Sequence, residues 1–136
     1  MMTNNYVFLY VEDDPTSRVV MQMILKHKFE DASLTMFEDS TDFETRLQNL
    51  PTKPTIIFLD IHMKPHTGFE MLRMIRRHPG YADCTVIALT ASVMNEEIEQ
   101  LEVSGFDGAI AKPLSRDEFP KLVEKILDGE SIWFVN

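Results

Sequence analysis

Apolar residues along this chain fall into short unbroken runs separated by longer stretches of helical spacing. Tyr6 to Val11 is one such run, rich in aromatic and β-branched residues and ended by a cluster of acids, so it reads as a buried strand. Pro15 then suits a first helical turn, and Val19, Val20, Met23, Ile24 and Leu25 recur at helical spacing. Ser33 to Phe37 is a weaker second strand. Ser40 to Leu50 reads as a helix with Ser40 as N-cap and Phe43 and Leu47 on one face, and Pro51 and Pro54 punctuate its exit. Thr55 to Leu59 is a third strand that stops at Asp60. Ile61 to Thr67 is irregular, and Gly68 to Arg77 is helical until Pro79-Gly80. Thr85 to Leu89 is a fourth strand ending in Thr90. Val93 to Val103 is a polar helix closed by Gly105. Asp107 to Ala111 is a fifth strand ending in Lys112-Pro113. Ser115 to Leu127 is a last helix, with Ser115 and Glu118 spaced as a capping box. Strands alternating with helices in this way predict βαβ units: five parallel strands with helices on both faces.

In such a doubly wound sheet, ligands gather at the carboxyl ends of the strands, near the topological switch point. Four strands deliver a polar residue there. The first ends in Glu12, Asp13 and Asp14, the third in Asp60, the fourth in Thr90 and the fifth in Lys112. Crowded carboxylates repel one another and call for a cation. An all-oxygen site with few protein ligands suits Mg2+, which also binds phosphate. A carboxylate beside that cation is a candidate nucleophile toward a phosphoryl donor, with Lys112 and the Thr90 hydroxyl set to meet phosphoryl oxygens.

Val11-Glu12-Asp13-Asp14-Pro15, Phe58-Leu59-Asp60, Gly68-Phe69-Glu70, Ala88-Leu89-Thr90-Ala91, Gly105-Phe106-Asp107-Gly108 and Lys112-Pro113 together resemble the response-regulator receiver domain of two-component signalling. The resemblance runs from about Tyr6 to Leu127 and implies a flavodoxin-like (βα)5 fold. It implies that Asp60 is the phosphoacceptor and that Asp13 binds Mg2+ directly. Glu12 matches the acid that acts through a metal-bound water, and the backbone carbonyl of His62 matches a third protein ligand. Thr90 matches the hydroxyl that moves toward the phosphoryl group, Lys112 the lysine that pairs with it, and Pro113 a cis-proline. Asp14 falls outside the acid pair and is expected to be peripheral.

Three departures from the family pattern stand out. Lys64 occupies the place of a usual proline, with Pro65 one later. Ala109 replaces the aromatic that in many members couples to the threonine. His62 and Ser92 sit where side chains tune the lifetime of the phosphoryl group.

The chain carries 13 basic and 22 acidic residues, a net charge of -9, which argues against nucleic acid and anionic lipid as partners. A single cysteine, Cys84, and the lack of a signal peptide or a membrane-spanning apolar run point to a cytoplasmic protein. Cys84, Met21, Met23, Met71 and Met74 are expected in the core, and Arg73, Arg76, Arg77 and His78 at a helix C-terminus. His62 and His66 lack a third histidine or cysteine to make a zinc site.

The expected organisation is a receiver domain over residues 1–128 and an apolar tail over 129–136, with no output domain. Ile132 to Val135 would fold back on the domain or else pack on a neighbour, which leaves a homodimer open. The expected partners are a histidine kinase or a histidine phosphotransfer protein and an unknown downstream protein. The domain is expected to be a regulatory phosphoacceptor, not an enzyme. Two rivals carry different signatures. A receiver-like scaffold that does not switch is motivated by Ala109 and Lys64. An aspartate-nucleophile phosphatase of the haloacid dehalogenase type would want a second Asp where His62 stands.

Overall fold

The structure, a computed structural model, describes residues 5–91 and 94–134. Its elements in chain order are β1 (Val7–Val11), α1 (Pro15–Lys28), β2 (Ser33–Phe37), α2 (Phe43–Gln48), β3 (Ile56–Asp60), α3 (Gly68–Arg77), β4 (Thr85–Thr90), α4 (Asn95–Ser104), β5 (Gly108–Ala111), α5 (Phe119–Leu127) and β6 (Trp133–Phe134). All strand pairings are parallel, in the order β2-β1-β3-β4-β5-β6. The predicted (βα)5 fold is therefore present, with a sixth strand added at the β5 edge.

Strand residues alternate between two cores. Leu9, Val11, Ile57, Leu59, Val86, Ala88 and Ala109 face α2, α3 and α4. Phe8, Tyr10, Ile56, Phe58, Ile87, Leu89 and Ile110 face α1 and α5. Burial on both faces is why these strands are apolar throughout and not alternating in polarity. The order reverses between β1 and β3, so the chain leaves their carboxyl ends toward opposite faces, to α1 and to α3, and opens a crevice between them.

Several helices differ from the sequence expectation. α1 starts where Asp14 caps it, its carboxylate accepting from Ser17 N at 3.1 Å. Met21, Ile24 and Leu25 are its buried stripe, while Val19 and Met23 are 56% and 59% exposed. Met23 is thus not a core residue: it lies on the neighbouring face, a turn from Val19. α2 begins at Phe43, not at Ser40, with Asp42 in the left-handed region as its N-cap residue. Ser40 is fully buried; its hydroxyl donates to His66 O at 2.8 Å and accepts from His66 N at 2.7 Å. It ties the loop after β2 to the loop after β3, a partnership that local spacing cannot reveal. α5 begins at Phe119, and Ser115 Oγ accepts from Glu118 N in the turn before it. Arg76 does more than complement a helix dipole: its guanidinium donates to Ala82 O, Cys84 O, Gly105 O and Asp107 Oδ2 at 2.6–3.1 Å.

The segment after α5 turns back on a Schellman-type ending. Glu130 N donates to Lys125 O and Gly129 N to Ile126 O, with Gly129 at φ +93°. β6 then pairs with β5, Trp133 opposite Ala109 and Phe134 opposite Ile110.

Candidate functional site

β1, β3 and β5 each end their apolar stretch at the same edge, and each delivers a charged side chain there. Carboxylate oxygens of Glu12, Asp13 and Asp60 come within 4.8 Å of one another, the one grouping of potential metal-ligating side chains among the described residues. Glu12 and Asp60 are buried, 1% and 6% exposed, while Asp13 is exposed. Lys112 Nζ bridges the two buried acids, at 2.7 Å from Glu12 Oε1 and 3.2 Å from Asp60 Oδ2. Asp60 Oδ1 accepts from His62 N at 3.0 Å. Thr90 is buried at the end of β4, and its carbonyl accepts from Lys112 N at 2.9 Å, which holds the β5 exit beside it.

The electrostatics follow from one cation serving two buried carboxylates. Burial and the neighbouring Glu12 carboxylate push the Asp60 carboxyl above the usual aspartate range. Burial alone would raise Glu12 as well, but hydrogen bonds with Asp60, Lys112 and Tyr10 outweigh it and hold Glu12 below its usual value. Burial pulls Lys112 down, and its bonds to Glu12 and Asp60 more than restore it, so the ammonium stays charged. The donor set fits a small hard cation. It is all oxygen, acidic and open on the Asp13 side, and one lysine does not balance three carboxylates.

Asp14 is exposed and serves α1 as its cap, apart from this cluster. The Lys112–Pro113 peptide is cis, and so is Lys64–Pro65. Lys64 and His62 are exposed on the β3–α3 loop, and Ser92 lies outside the described residues. His62 and His66 do not join any metal-ligating group among the described residues. A cleft of about 290 Å3 beside Thr90 is lined by Ile61, His62, Phe69, Glu97 and Leu101. Ala109 faces the α2–α4 core, and its cross-strand neighbour Trp133 packs against that same core. An aromatic residue does stand next to position 109, supplied by β6.

Two contributors are absent from the sequence reading. Tyr10, two residues before Glu12, donates its hydroxyl to Glu12 Oε1 at 2.7 Å. Arg18, from the first turn of α1, donates to the Glu12 carbonyl at 2.8 Å. The signal for Tyr10 was available: a buried phenol needs an acceptor, and strand alternation puts positions 10 and 12 on one side.

A model of the response regulator receiver domain matches residues 8–124. The chain belongs to that family. This receiver domain is similar to stress response regulator protein 1 of Debaryomyces hansenii, with 30% identity over 127 residues, 92% of this chain and 52% of that protein. The chain thus spans about half the length of that relative. Among solved structures, the signal receiver domain of a DNA-binding response regulator from Colwellia psychrerythraea superposes with a TM-score of 0.80 at 22% identity. It covers 91% of this chain and 99% of that one. The receiver domain of a Pseudomonas aeruginosa sensor histidine kinase, solved with a magnesium ion coordinated in its active site cleft, gives 0.78 at 22% identity, over 92% and 99%. These likenesses show the fold. Family membership makes the chain a response regulator receiver domain of two-component signalling, and no helix among the described residues is long and apolar enough to cross a membrane.

Proposed function

We propose that this receiver domain takes a phosphoryl group onto Asp60 from a histidine kinase or histidine phosphotransfer protein, in the cytoplasm, and thereby alters a protein–protein contact surface. The observation that carries this reading is the buried Asp60 carboxylate at the switch point, contacted by Lys112 and grouped with Glu12 and Asp13. An Asp60 oxygen attacks phosphorus, the P–N bond of a phosphohistidine donor breaks, and its electron pair leaves on the imidazole. Lys112, already 3.2 Å from Asp60, is placed to pair with a phosphoryl oxygen, and the His62 N–H holds the other carboxylate oxygen in place. Thr90 ends β4, where its carbonyl accepts from Lys112 N, and its hydroxyl can meet the phosphoryl group. Mg2+ held by Asp13, Asp60 and the His62 carbonyl, with Glu12 acting through a water, would supply positive charge against the phosphoryl oxygens.

The domain would assist its own phosphorylation and dephosphorylation and would not turn over phosphate esters as an enzyme, since His62 stands where a phosphatase of the aspartate-nucleophile type needs a second acid. Intact mass after incubation with acetyl phosphate and Mg2+ tests the reading. Wild type is expected to gain one phosphoryl group, about 80 Da, only with Mg2+, and Asp60→Ala to gain none. If beryllofluoride also fails to bind wild type, the non-switching scaffold, which Ala109 motivates, takes its place.

A further inference from the structure

The Tyr10 hydroxyl is a buried polar group that the proposed chemistry does not use. Its side chain is fully buried among Phe8, Met21 and Phe58 on the α1–α5 side, where a phenylalanine would fill the same space. A hydroxyl in such a place is costly unless hydrogen-bonded. Its acceptor is Glu12 Oε1, at 2.7 Å, and Lys112 Nζ reaches that same oxygen at 2.7 Å. Glu12 Oε2 accepts a longer bond of 3.2 Å from the backbone N–H of Asp14. The carboxylate is therefore gripped at one oxygen by two donors of different character. Lys112 sits on a flexible stem and is also drawn to Asp60, at 3.2 Å. Tyr10 is fixed by the packing of its ring.

We propose that Tyr10 is a positioning residue for the cation site: its hydroxyl holds the Glu12 carboxylate toward Asp13 and Asp60 whether or not Lys112 remains bonded to it. The inference rests on the reading of Asp60 as phosphoacceptor, because that reading requires Lys112 to turn toward a phosphoryl oxygen. When Lys112 does so, Glu12 loses one of the two donors on Oε1. A carboxylate released from both would be free to rotate, and the acid cluster would lose its geometry at the moment it is needed. A donor anchored in the core cannot follow the phosphoryl group, so Glu12 keeps its orientation in both states.

The test compares wild type, Tyr10→Phe and Tyr81→Phe, using Mg2+ titration by calorimetry and acetyl phosphate labelling across Mg2+ concentrations. Tyr81 is a second buried tyrosine, whose hydroxyl donates to Leu47 O at 3.1 Å on the other face of the sheet. Tyr10→Phe is expected to bind Mg2+ about tenfold more weakly, the low end of what loss of an outer-sphere partner costs. Its labelling should recover as Mg2+ is raised, and Tyr81→Phe should bind Mg2+ as wild type does. In a Glu12→Ala background, removing the Tyr10 hydroxyl should change Mg2+ affinity no further. A Tyr10→Phe protein that melts lower but keeps wild-type Mg2+ affinity would overturn the proposal and leave the hydroxyl a structural role. So would an equal loss of affinity in the Glu12→Ala background. Wild type that binds Mg2+ but takes neither label nor beryllofluoride would overturn the phosphoacceptor reading alone, and the affinity comparison would still decide the role of Tyr10.

Discussion

Asp60 carries an electrostatic cost set by where it stands. Its carboxyl is buried beside Glu12 and its value is raised, so in metal-free protein the ionised form is disfavoured. An acid whose value is raised on folding contributes stability at low pH, and that contribution is lost as the pH climbs from the ordinary aspartate range through the raised value. Metal-free Asp60→Asn should therefore melt higher than wild type at pH 7. The gap should close as the pH falls below about 4, where an ordinary aspartate is protonated. Thermal melts in chelator at stepped pH measure this, and a gap independent of pH would count against the burial argument. Asp60, Thr90 and Lys112 were legible in the sequence because each stands where an apolar run stops, and a strand end can be located by that alone. Ser40 is not legible in this way, because its partner His66 lies on a chain segment that only the fold brings opposite. Tyr10 needs no such information, since strand alternation already puts it beside Glu12.

The element least legible beforehand is β6. Its pairing depends on two small residues of β5. A Cβ placed on Gly108 would come within 2.5 Å of Ile132 O, and Ala109 N donates to that same carbonyl at 2.9 Å. Gly108→Ala should force β6 off the edge at a cost of about 1–3 kcal/mol, as overpacking typically does. Trp133 is the single tryptophan, so its emission should shift to the red when it leaves the β5 edge. Unchanged emission and stability would mean that β6 accommodates the methyl group. The apolar character of the tail is plain in the sequence, but its pairing with β5 is not. The missed signal was Gly129, whose left-handed conformation reverses the chain after α5. α2 is shorter than its sequence suggests for a related reason: Ser40 has the right residue type for an N-cap, but the loop after β3 claims its hydroxyl.

At the scale of the molecule, one twisted sheet divides two cores and leaves its acids at a single rim. Three grouped carboxylates, two of them paired with one lysine, leave the rim with an excess of negative charge that a cation would offset. Added Mg2+ should therefore stabilise the whole fold, by about 2.7 kcal/mol at a hundred times the dissociation constant. Thermal midpoints followed against Mg2+ concentration check this, and Asp60→Asn should blunt the response. A midpoint that does not respond to Mg2+ would remove the cation from the site. The net charge of -9 disfavours polyanions as partners of this domain, in keeping with the protein–protein contact surface proposed for it.

The order of strands and helices, their placement on both faces of a parallel sheet and the gathering of Asp60, Thr90 and Lys112 at one edge followed from the sequence. Each depends on local periodicity and on the handedness of βαβ units, which allow few topologies. What only the tertiary structure decided is how the edge is wired: that Lys112 bridges Glu12 and Asp60, that Tyr10 shares Glu12 with it, that Ser40 clamps the β3–α3 loop, and that β6 brings Trp133 beside Ala109. Apart from the Tyr10–Glu12 bond, which joins neighbours on one side of β1, these are contacts between residues far apart in the chain, and the strength of all of them depends on distance and burial, which residue order does not encode.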